Sequence, residues 1–421
     1  MNLLFITLLV TVLVASNGFT LHMNRGQRVT FHSWNMPESI NGVSNPKQSR
    51  FSTALNDANL DYPPLKSSNI QELVQTANAM VSSGKGLLAC DESTGTIGTR
   101  LESIGLQNTM ENRQKWRELL FTTPKLSDHV SGAILYEETL YQDSSKGTPF
   151  VKLLQNNNII PGIKVDTGLK PLIGGVSGEK WCSGLDDLAD RTVKYYQQGA
   201  RFAKWRAALS VNVVKGMPSN LAVEKCANGL AMYARICQEA GLVPIIEPEI
   251  LLDGDHDIAT TSRVQELVIS AVYKSCINHG VHLEGTLLKP SMTLPGVDCT
   301  TKTNPKEIAE YTVKTLERVV PVQVPGITFL SGGISEEDST IYLSEINKIK
   351  RKGPWAMTFS FSRALQASVL DIWMGKDENV DAAKAQLFAR CKANSEASKG
   401  VYAPGSAPSL KESLYVKDYQ Y

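Results

Sequence analysis

EGTLLKP, residues 284 to 290, is the stretch on which the fold of this chain turns. HLEGTLLK (282 to 289) has the apolar body of a buried strand, yet it closes on Lys289, and Pro290 stops the strand behind it. Desolvating an ammonium is costly, so such a lysine either reaches water or belongs to a site that needs its amine uncharged. Seven further runs share this build: GLLACDE (86 to 92), SGAILYEE (131 to 138), PGIKVD (161 to 166), RFAKWR (201 to 206), LVPIIEPE (242 to 249), GITFLSGG (326 to 333) and AMTFSFSR (356 to 363). The intervals leave room for a loop and one or more helices, such as DLADRTVKYYQQGA before the fourth run and VQELVISAVYKSCINHG before the sixth. Strands alternating with helices imply parallel pairing, and eight such units imply an α/β fold, a single (β/α)8 TIM barrel. A doubly wound open sheet is the competitor. The GxGxxG turn it would carry after its first strand is absent.

Composition narrows the function. Of 421 residues, 42 % are hydrophobic, enough for a large core, and 43 basic residues against 42 acidic ones give a net charge of +1. No block of five like charges occurs, which argues against nucleic acid as a partner. Seven cysteines without a CxxC pair point to reduced thiols and fit poorly with secretion. The N-terminus nevertheless has the shape of a signal peptide over residues 1–18, with small residues preparing a cleavage after Gly18 and no Lys or Arg before the apolar run. Residues 19–65 follow with transit-peptide composition: Arg25, Arg28, Lys47 and Arg50 against Glu38 up to residue 56, with much Ser, Asn and Thr. This two-part leader resembles those of proteins entering algal plastids bounded by extra membranes, so the expected destination is the plastid stroma. A secreted or cytosolic product is the competing outcome. The expected organisation is then a barrel over 66–400 and a mobile C-terminal tail over 401–421, with no stable membrane insertion once the leader is removed.

Nearly every strand is apolar in its body and polar at its C-terminal end, the face where barrels place active sites. The ends supply Asp91, Glu137 with Glu138, Lys164 with Asp166, Lys204 with Arg206, Glu247 with Glu249, Lys289, Ser331 and Ser360. Side chains alternate across a strand, so Lys204 and Arg206 share a face, as do Glu247 and Glu249. With Lys164 and Lys204 nearby, burial and neighbouring cations favour a free amine at Lys289, able to attack a carbonyl and form a Schiff base. A structural ion pair with Glu247 or Glu249 is the alternative. Glu247, Glu249 and Asp91 suit the proton transfers such chemistry needs. Ser331, Gly332 and Gly333 after strand seven, with Ser360 and Arg363 after strand eight, match the usual phosphate corner of this fold. Ser93, Thr96 and Arg100 are expected to form a second anion site on the opposite side of the mouth. No metal site is expected: the six histidines (His22, His32, His129, His256, His279, His282) are scattered. DGDHD (253 to 257) lacks the glycine and glutamate of a calcium loop, carrying Ile258 and Val264 there.

Taken together, LACDESTGTIGTRL, GIKVDTG, FAKWR, IIEPEIL, LEGTLLKP, FLSGG and FSRALQAS closely resemble segments of class I fructose-1,6-bisphosphate aldolase, over about residues 67 to 421 and in the same order. The resemblance implies a cofactor-free and metal-free enzyme, usually a homotetramer, that reversibly cleaves the sugar bisphosphate into dihydroxyacetone phosphate and glyceraldehyde 3-phosphate. It further implies Lys289 as the Schiff-base lysine, Glu247 as acid and base of the carbinolamine steps, and Glu249 as its neighbour in the charge network. Asp91 would help take the C4 hydroxyl proton, Lys204 would stabilise charge, and Tyr421 would assist proton exchange on the enamine. Arg206, Lys164, Ser93, Thr96 and Arg100 fall at substrate-facing or phosphate-facing places, and Ser331, Gly332, Ser360 and Arg363 at the other phosphate site. Ser362 departs from a usual glycine, Ser291 from asparagine, Thr96 from serine and Thr99 from lysine. A related aldolase acting on sedoheptulose bisphosphate, and a noncatalytic scaffold built on the same barrel, are the competing functions.

Overall fold

The computed structural model of the chain describes residues 65–417 and 419. The leader expected over 1–18 and over 19–65, all but Leu65 of it, and Tyr421 lie outside the described residues.

Eight parallel strands close into a barrel in chain order: β1 (Gly86–Cys90), β2 (Val130–Leu135), β3 (Ile160–Lys164), β4 (Phe202–Leu209), β5 (Val243–Ile250), β6 (Leu287–Leu288), β7 (Gly326–Phe329) and β8 (Ala356–Phe361), with β8 returning to pair with β1. A small antiparallel pair, Leu169–Pro171 with Lys180–Cys182, sits in the loop after β3. Helices fill the gaps between strands, and their starts are written in the sequence. Ser93, Thr109, Ser219, Asp257, Asn304 and Ser335 each accept a backbone N–H of the first turn, the usual job of short polar side chains at an N-cap. The two helices expected before the fourth and sixth runs span Leu188–Gln198 and Ile258–Asn278.

All eight expected strands are present, with three corrections. HLEGTLLK is not one strand: Leu283–Gly285 forms a 3₁₀ turn and only Leu287–Leu288 pairs. Gly285 lies against the N-terminal helix Ser67–Met80, where a Cβ would come within 2.8 Å of Leu73 Cβ, so tertiary packing sets the turn. Glu137 and Glu138 do not end a strand; they open a short helix, Glu137–Leu140, and Glu138 pairs with Arg113 at 2.6 Å. Ser331 lies in the loop beyond the end of β7.

Strand parity divides the core in two. Inward positions Leu87, Ala89, Ile134, Phe202, Val243, Ile245 and Leu287 form one apolar cluster with Leu73, Ala77 and Met80, so the helix Ser67–Met80 plugs the N-terminal end of the barrel. Gly162 makes room for the Phe202 ring, which a Cβ there would meet at 2.2 Å. Outward positions such as Leu88, Cys90, Trp205, Ile246 and Leu288 belong to the larger cluster beneath the helices. All seven cysteines are free thiols, and six of them are buried. Among the described residues no helix is long and apolar enough to cross a membrane.

Candidate active site

The inward rows continue past the apolar plug. Leu87 and Ala89 lead to Asp91, Phe202 to Lys204 and Arg206, Val243 and Ile245 to Glu247 and Glu249, and Leu287 to Lys289, so period-two alternation delivers charge to the C-terminal end of the barrel. All these side chains are buried, as are Lys164 and Asp166. Buried charge is tolerated only when paired, and the pairing here is dense. Lys204 Nζ lies 2.6 Å from Asp91 Oδ2 and 3.5 Å from Glu247 Oε2. Lys289 Nζ lies 3.1 Å from Glu247 Oε1. Arg206 Nε donates to Glu249 Oε2 at 2.5 Å, and Lys164 Nζ lies 3.0 Å from Asp166 Oδ1. Four basic and four acidic side chains thus pair within the cluster.

Burial opposes charge on Lys204, but Asp91 and Glu247 outweigh it and hold the ammonium above the ordinary lysine range. Lys204 is therefore a fixed cation. Arg206 is held protonated in the same way, burial being overcome first by Glu249. Tyr233 donates to both Ala203 O (2.8 Å) and Ile245 O (3.1 Å), which ties β4 to β5 from the outer side and fixes the spacing of Lys204 and Glu247. The Lys289 N–H donates to Ile246 O at 2.8 Å, so the lysine leaves the barrel wall at a fixed point although its own strand is only two residues long.

Beside this cluster lies a cleft lined by Ser331, Gly332, Ser360, Ser362, Arg363 and Arg100, with Arg206, Glu247, Glu249 and Lys289 forming its inner wall. Gly332 and Gly333 take φ of +59° and +99°, a left-handed turn that favours glycine. Arg363 opens the helix Arg363–Trp373, whose N-terminus faces the same cleft and suits an anion. Ser362 has φ −107°, which a serine adopts as readily as glycine.

One expectation needs correction. Arg100 does not stand across the mouth from the Ser331–Arg363 corner; it lines the same cleft, with Ser362 Oγ 3.2 Å from its Nη1. Barrel closure is the reason: β1 and β8 are neighbours, so the loops that follow them meet. Ser93 and Thr96 do not line this cleft. Ser93 caps the helix Thr94–Ser103, accepting from Thr96 N at 3.3 Å, with its Oγ 3.0 Å from Thr96 Oγ1. Gly333 serves the C-terminal segment, since a Cβ there would come within 2.8 Å of Tyr415 Cα. Tyr419, from that segment, reaches into the cleft: the Arg363 guanidinium lies 4.3 Å over its ring and its Oη is 3.4 Å from Arg100 Nη2. The volume left unfilled is about 40 Å³.

Two contributors were not foreseen. Glu92, on the outward face beside Asp91, is wholly buried, 2.7 Å from Arg117 Nη1 and 2.5 Å from Arg100 Nη1. Ser362 donates to it at 2.7 Å. Burial raises the Glu92 carboxyl, but Arg117 and Arg100 outweigh that and hold it below the ordinary glutamate value. Glu92 thereby fixes Arg100 at the lip of the cleft. The acid is visible next to Asp91 in the sequence, but nothing local marks Arg117 as its partner.

A family model described as fructose-bisphosphate aldolase class-I matches residues 72–421. A cytoplasmic fructose-bisphosphate aldolase isozyme of Pisum sativum is 55 % identical over 351 residues, covering 83 % of this chain and 97 % of the relative. A chloroplastic fructose-bisphosphate aldolase of Chlamydomonas reinhardtii is 51 % identical over 352 residues, covering 83 % and 92 %. Among solved structures, a fructose-bisphosphate aldolase from Plasmodium falciparum superimposes with a TM-score of 0.80 at 50 % identity, covering 82 % of this chain and 98 % of that one.

Proposed function

The chain belongs to the class I fructose-bisphosphate aldolase family, and on that premise we propose that it cleaves fructose 1,6-bisphosphate reversibly into dihydroxyacetone phosphate and glyceraldehyde 3-phosphate through a Schiff base on Lys289. The observation that carries this is the chain of contacts Lys289–Glu247–Lys204–Asp91 at the C-terminal end of the barrel. The Lys289 amine attacks the C2 carbonyl, and Glu247, at hydrogen-bond distance, relays a proton to the carbinolamine oxygen, which departs as water. The iminium then draws the electron pair of the C3–C4 bond as a carboxylate takes the C4 hydroxyl proton. Asp91, one residue past the end of β1 on its inward row, is the candidate for that base, with Lys204 balancing its charge. Glyceraldehyde 3-phosphate leaves first. The enamine is protonated at C3, where the family resemblance assigns Tyr421, and hydrolysis of the iminium returns Lys289. Arg206, braced by Glu249, is the candidate that meets the ligand's hydroxyls, with Lys164 at a neighbouring strand end outside the cleft, while the Ser331, Gly332, Ser360 and Arg363 corner with Arg100 holds phosphate, charge-assisted at the arginines. Ser93, Thr96 and Gly333 would act on ligand indirectly, through the helix start and the C-terminal segment.

The test is turnover by the purified protein: fructose 1,6-bisphosphate should yield the two triose phosphates in equal amounts, insensitive to metal chelation. The leader composition and the chloroplastic relative support delivery to a plastid, which a fluorescent fusion of the first 65 residues in the source cell would report. Homotetramer assembly is supported by family habit and by apolar loop residues such as Ile173 and Val214, 89 % and 98 % exposed in the single chain. Sedimentation would read it directly.

A further inference from the structure

The amine of Lys289 has to meet both Glu247 and a ligand carbonyl, yet its own strand gives it little hold. β4 and β5 pair over eight residues, from Phe202 with Val243 to Leu209 with Ile250, so a long ladder fixes Lys204, Arg206, Glu247 and Glu249. β6 pairs through Leu287 and Leu288 alone, and Lys289 follows with one backbone bond, its N–H to Ile246 O. Pro290 has no N–H with which to continue the pairing. Its carbonyl accepts Leu330 N at 3.1 Å, and the chain then runs buried through Ser291, Met292, Thr293 and Leu294 in neither strand nor helix. Buried backbone groups need partners, and a segment outside any ladder has to take them from side chains.

Gln265 meets that need. It lies on the helix Ile258–Asn278 and is 3 % exposed. Its Nε2 donates to Ser291 O at 2.9 Å and to Ser291 Oγ at 3.2 Å, while its Oε1 accepts from Thr293 Oγ1 at 2.6 Å. A carbonyl can only accept, so the partners themselves fix which way the amide points. Two threonines complete the seam. Thr261, one turn earlier on the same helix, donates to Leu294 O at 2.6 Å, and Thr312 of the helix Pro305–Val319 accepts Thr293 N at 2.9 Å. None of these three side chains lines the anion cleft, and none carries charge.

We propose that Gln265 is a positioning residue for Lys289: its amide takes the place of the missing strand ladder, clasping Ser291 and Thr293 so that the lysine just before them projects to its place 3.1 Å from Glu247. This rests on the aldolase reading of the site, since only a reacting amine makes that placement matter for turnover. Gln265→Met keeps the length and bulk of the side chain but removes all three hydrogen bonds, and the buried Ser291 carbonyl loses its donor. A reacting atom displaced by about 1 Å slows a step on the order of a hundredfold. Ser262→Ala is the control. It removes a buried 2.7 Å contact with Thr315 from the same helix and leaves the bonds of residues 289–294 in place.

Hydrogen–deuterium exchange first compares the full-length parent, Q265M and S262A without ligand. Faster exchange over 289–294 in Q265M alone is expected, and parental exchange there in Q265M overturns the clasp. The second measurement is the rate at which saturating dihydroxyacetone phosphate becomes trappable by borohydride on Lys289, divided by the final number of trapped sites so that unfolded chains do not count. It should fall about 10- to 100-fold in Q265M and stay within about twofold of the parent in S262A. An equal loss in S262A would make the effect one of helix packing and overturn the proposal. In steady-state cleavage the loss should fall on kcat; a raised KM at unchanged kcat would place Gln265 behind the phosphate corner, through Leu330, and overturn it too. Should Q265M fail to fold, Thr293→Val removes the bond to Gln265 Oε1 alone and is read in the same assays. Faster exchange over 289–294 with slower trapping is then expected, and a parental trapping rate refutes the assignment. If the parent itself forms no trappable imine, the aldolase reading fails and the role in turnover with it, while the exchange data still judge the clasp.

Discussion

Lys204 and Lys289 share one carboxylate: their Nζ atoms lie 3.5 Å and 3.1 Å from the two oxygens of Glu247. Lys204 has a second acid, Asp91, at 2.6 Å and stays charged. Glu247 therefore faces a permanent cation on one side and the candidate nucleophile on the other. A proton leaving Lys289 has an acceptor within reach, and Lys204 compensates the carboxylate in the state where no proton is on it.

Glu247→Gln keeps the shape and removes the proton relay. The expected loss in kcat/KM is about 10²- to 10⁴-fold, the usual worth of a positioned acid or base, while the Lys204–Asp91 pair keeps the fold intact. Steady-state cleavage assays with circular dichroism check this; turnover within twofold of the parent would contradict the assignment.

Lys204→Met leaves Asp91 and Glu247 buried with their shared cation gone. Breaking a buried pair from one side costs about 3–5 kcal/mol, and urea unfolding at pH 7 should show a loss of that order together with lost turnover. A stability within about 1 kcal/mol of the parent would mean that water reaches the cluster.

The buried Glu92 carboxyl lies below the ordinary glutamate value, so its contribution is complete above that value and is lost as pH falls through the lower folded one. Urea midpoints of the parent should decline from about pH 5 downward. Glu92→Gln should already be weaker at pH 7, by about 3–5 kcal/mol because Arg117 is left buried without its acid, and should show a shallower acid decline.

Arg363→Ala removes one of two arginines at the cleft. A hydrogen bond to a charged group contributes about 1.5–3 kcal/mol, so KM for the bisphosphate should rise by about 10- to 100-fold, with covalent trapping at saturating ligand preserved. A fall in kcat at unchanged KM would instead place Arg363 in the chemistry.

Period-two alternation made the barrel and most of its charged interior legible. Phe202, Lys204 and Arg206 sit on one side of a strand and Trp205 on the other, and the structure keeps that order. What stayed hidden depends on contacts far apart in sequence. HLEGTLLK reads as a strand, but Leu73 presses on Gly285 and leaves only two residues to pair. Arg100 and Arg363 come together because β8 closes on β1, a step that local pattern does not order. Glu92 points outward by parity, which predicts solvent or helix contact equally, and Arg117 decides between them. Glu336 and Glu337 look like an ordinary acidic first turn until residues 402–410 are seen to cover them.

The central claim is that the amine of Lys289 bonds covalently to a ketose. Borohydride reduction in the presence of dihydroxyacetone phosphate, followed by peptide mass spectrometry, tests it most directly. The account expects one stoichiometric adduct on Lys289, abolished in Lys289→Ala. An adduct on Lys164 or Lys204 instead, or none while cleavage of fructose 1,6-bisphosphate continues, would contradict it.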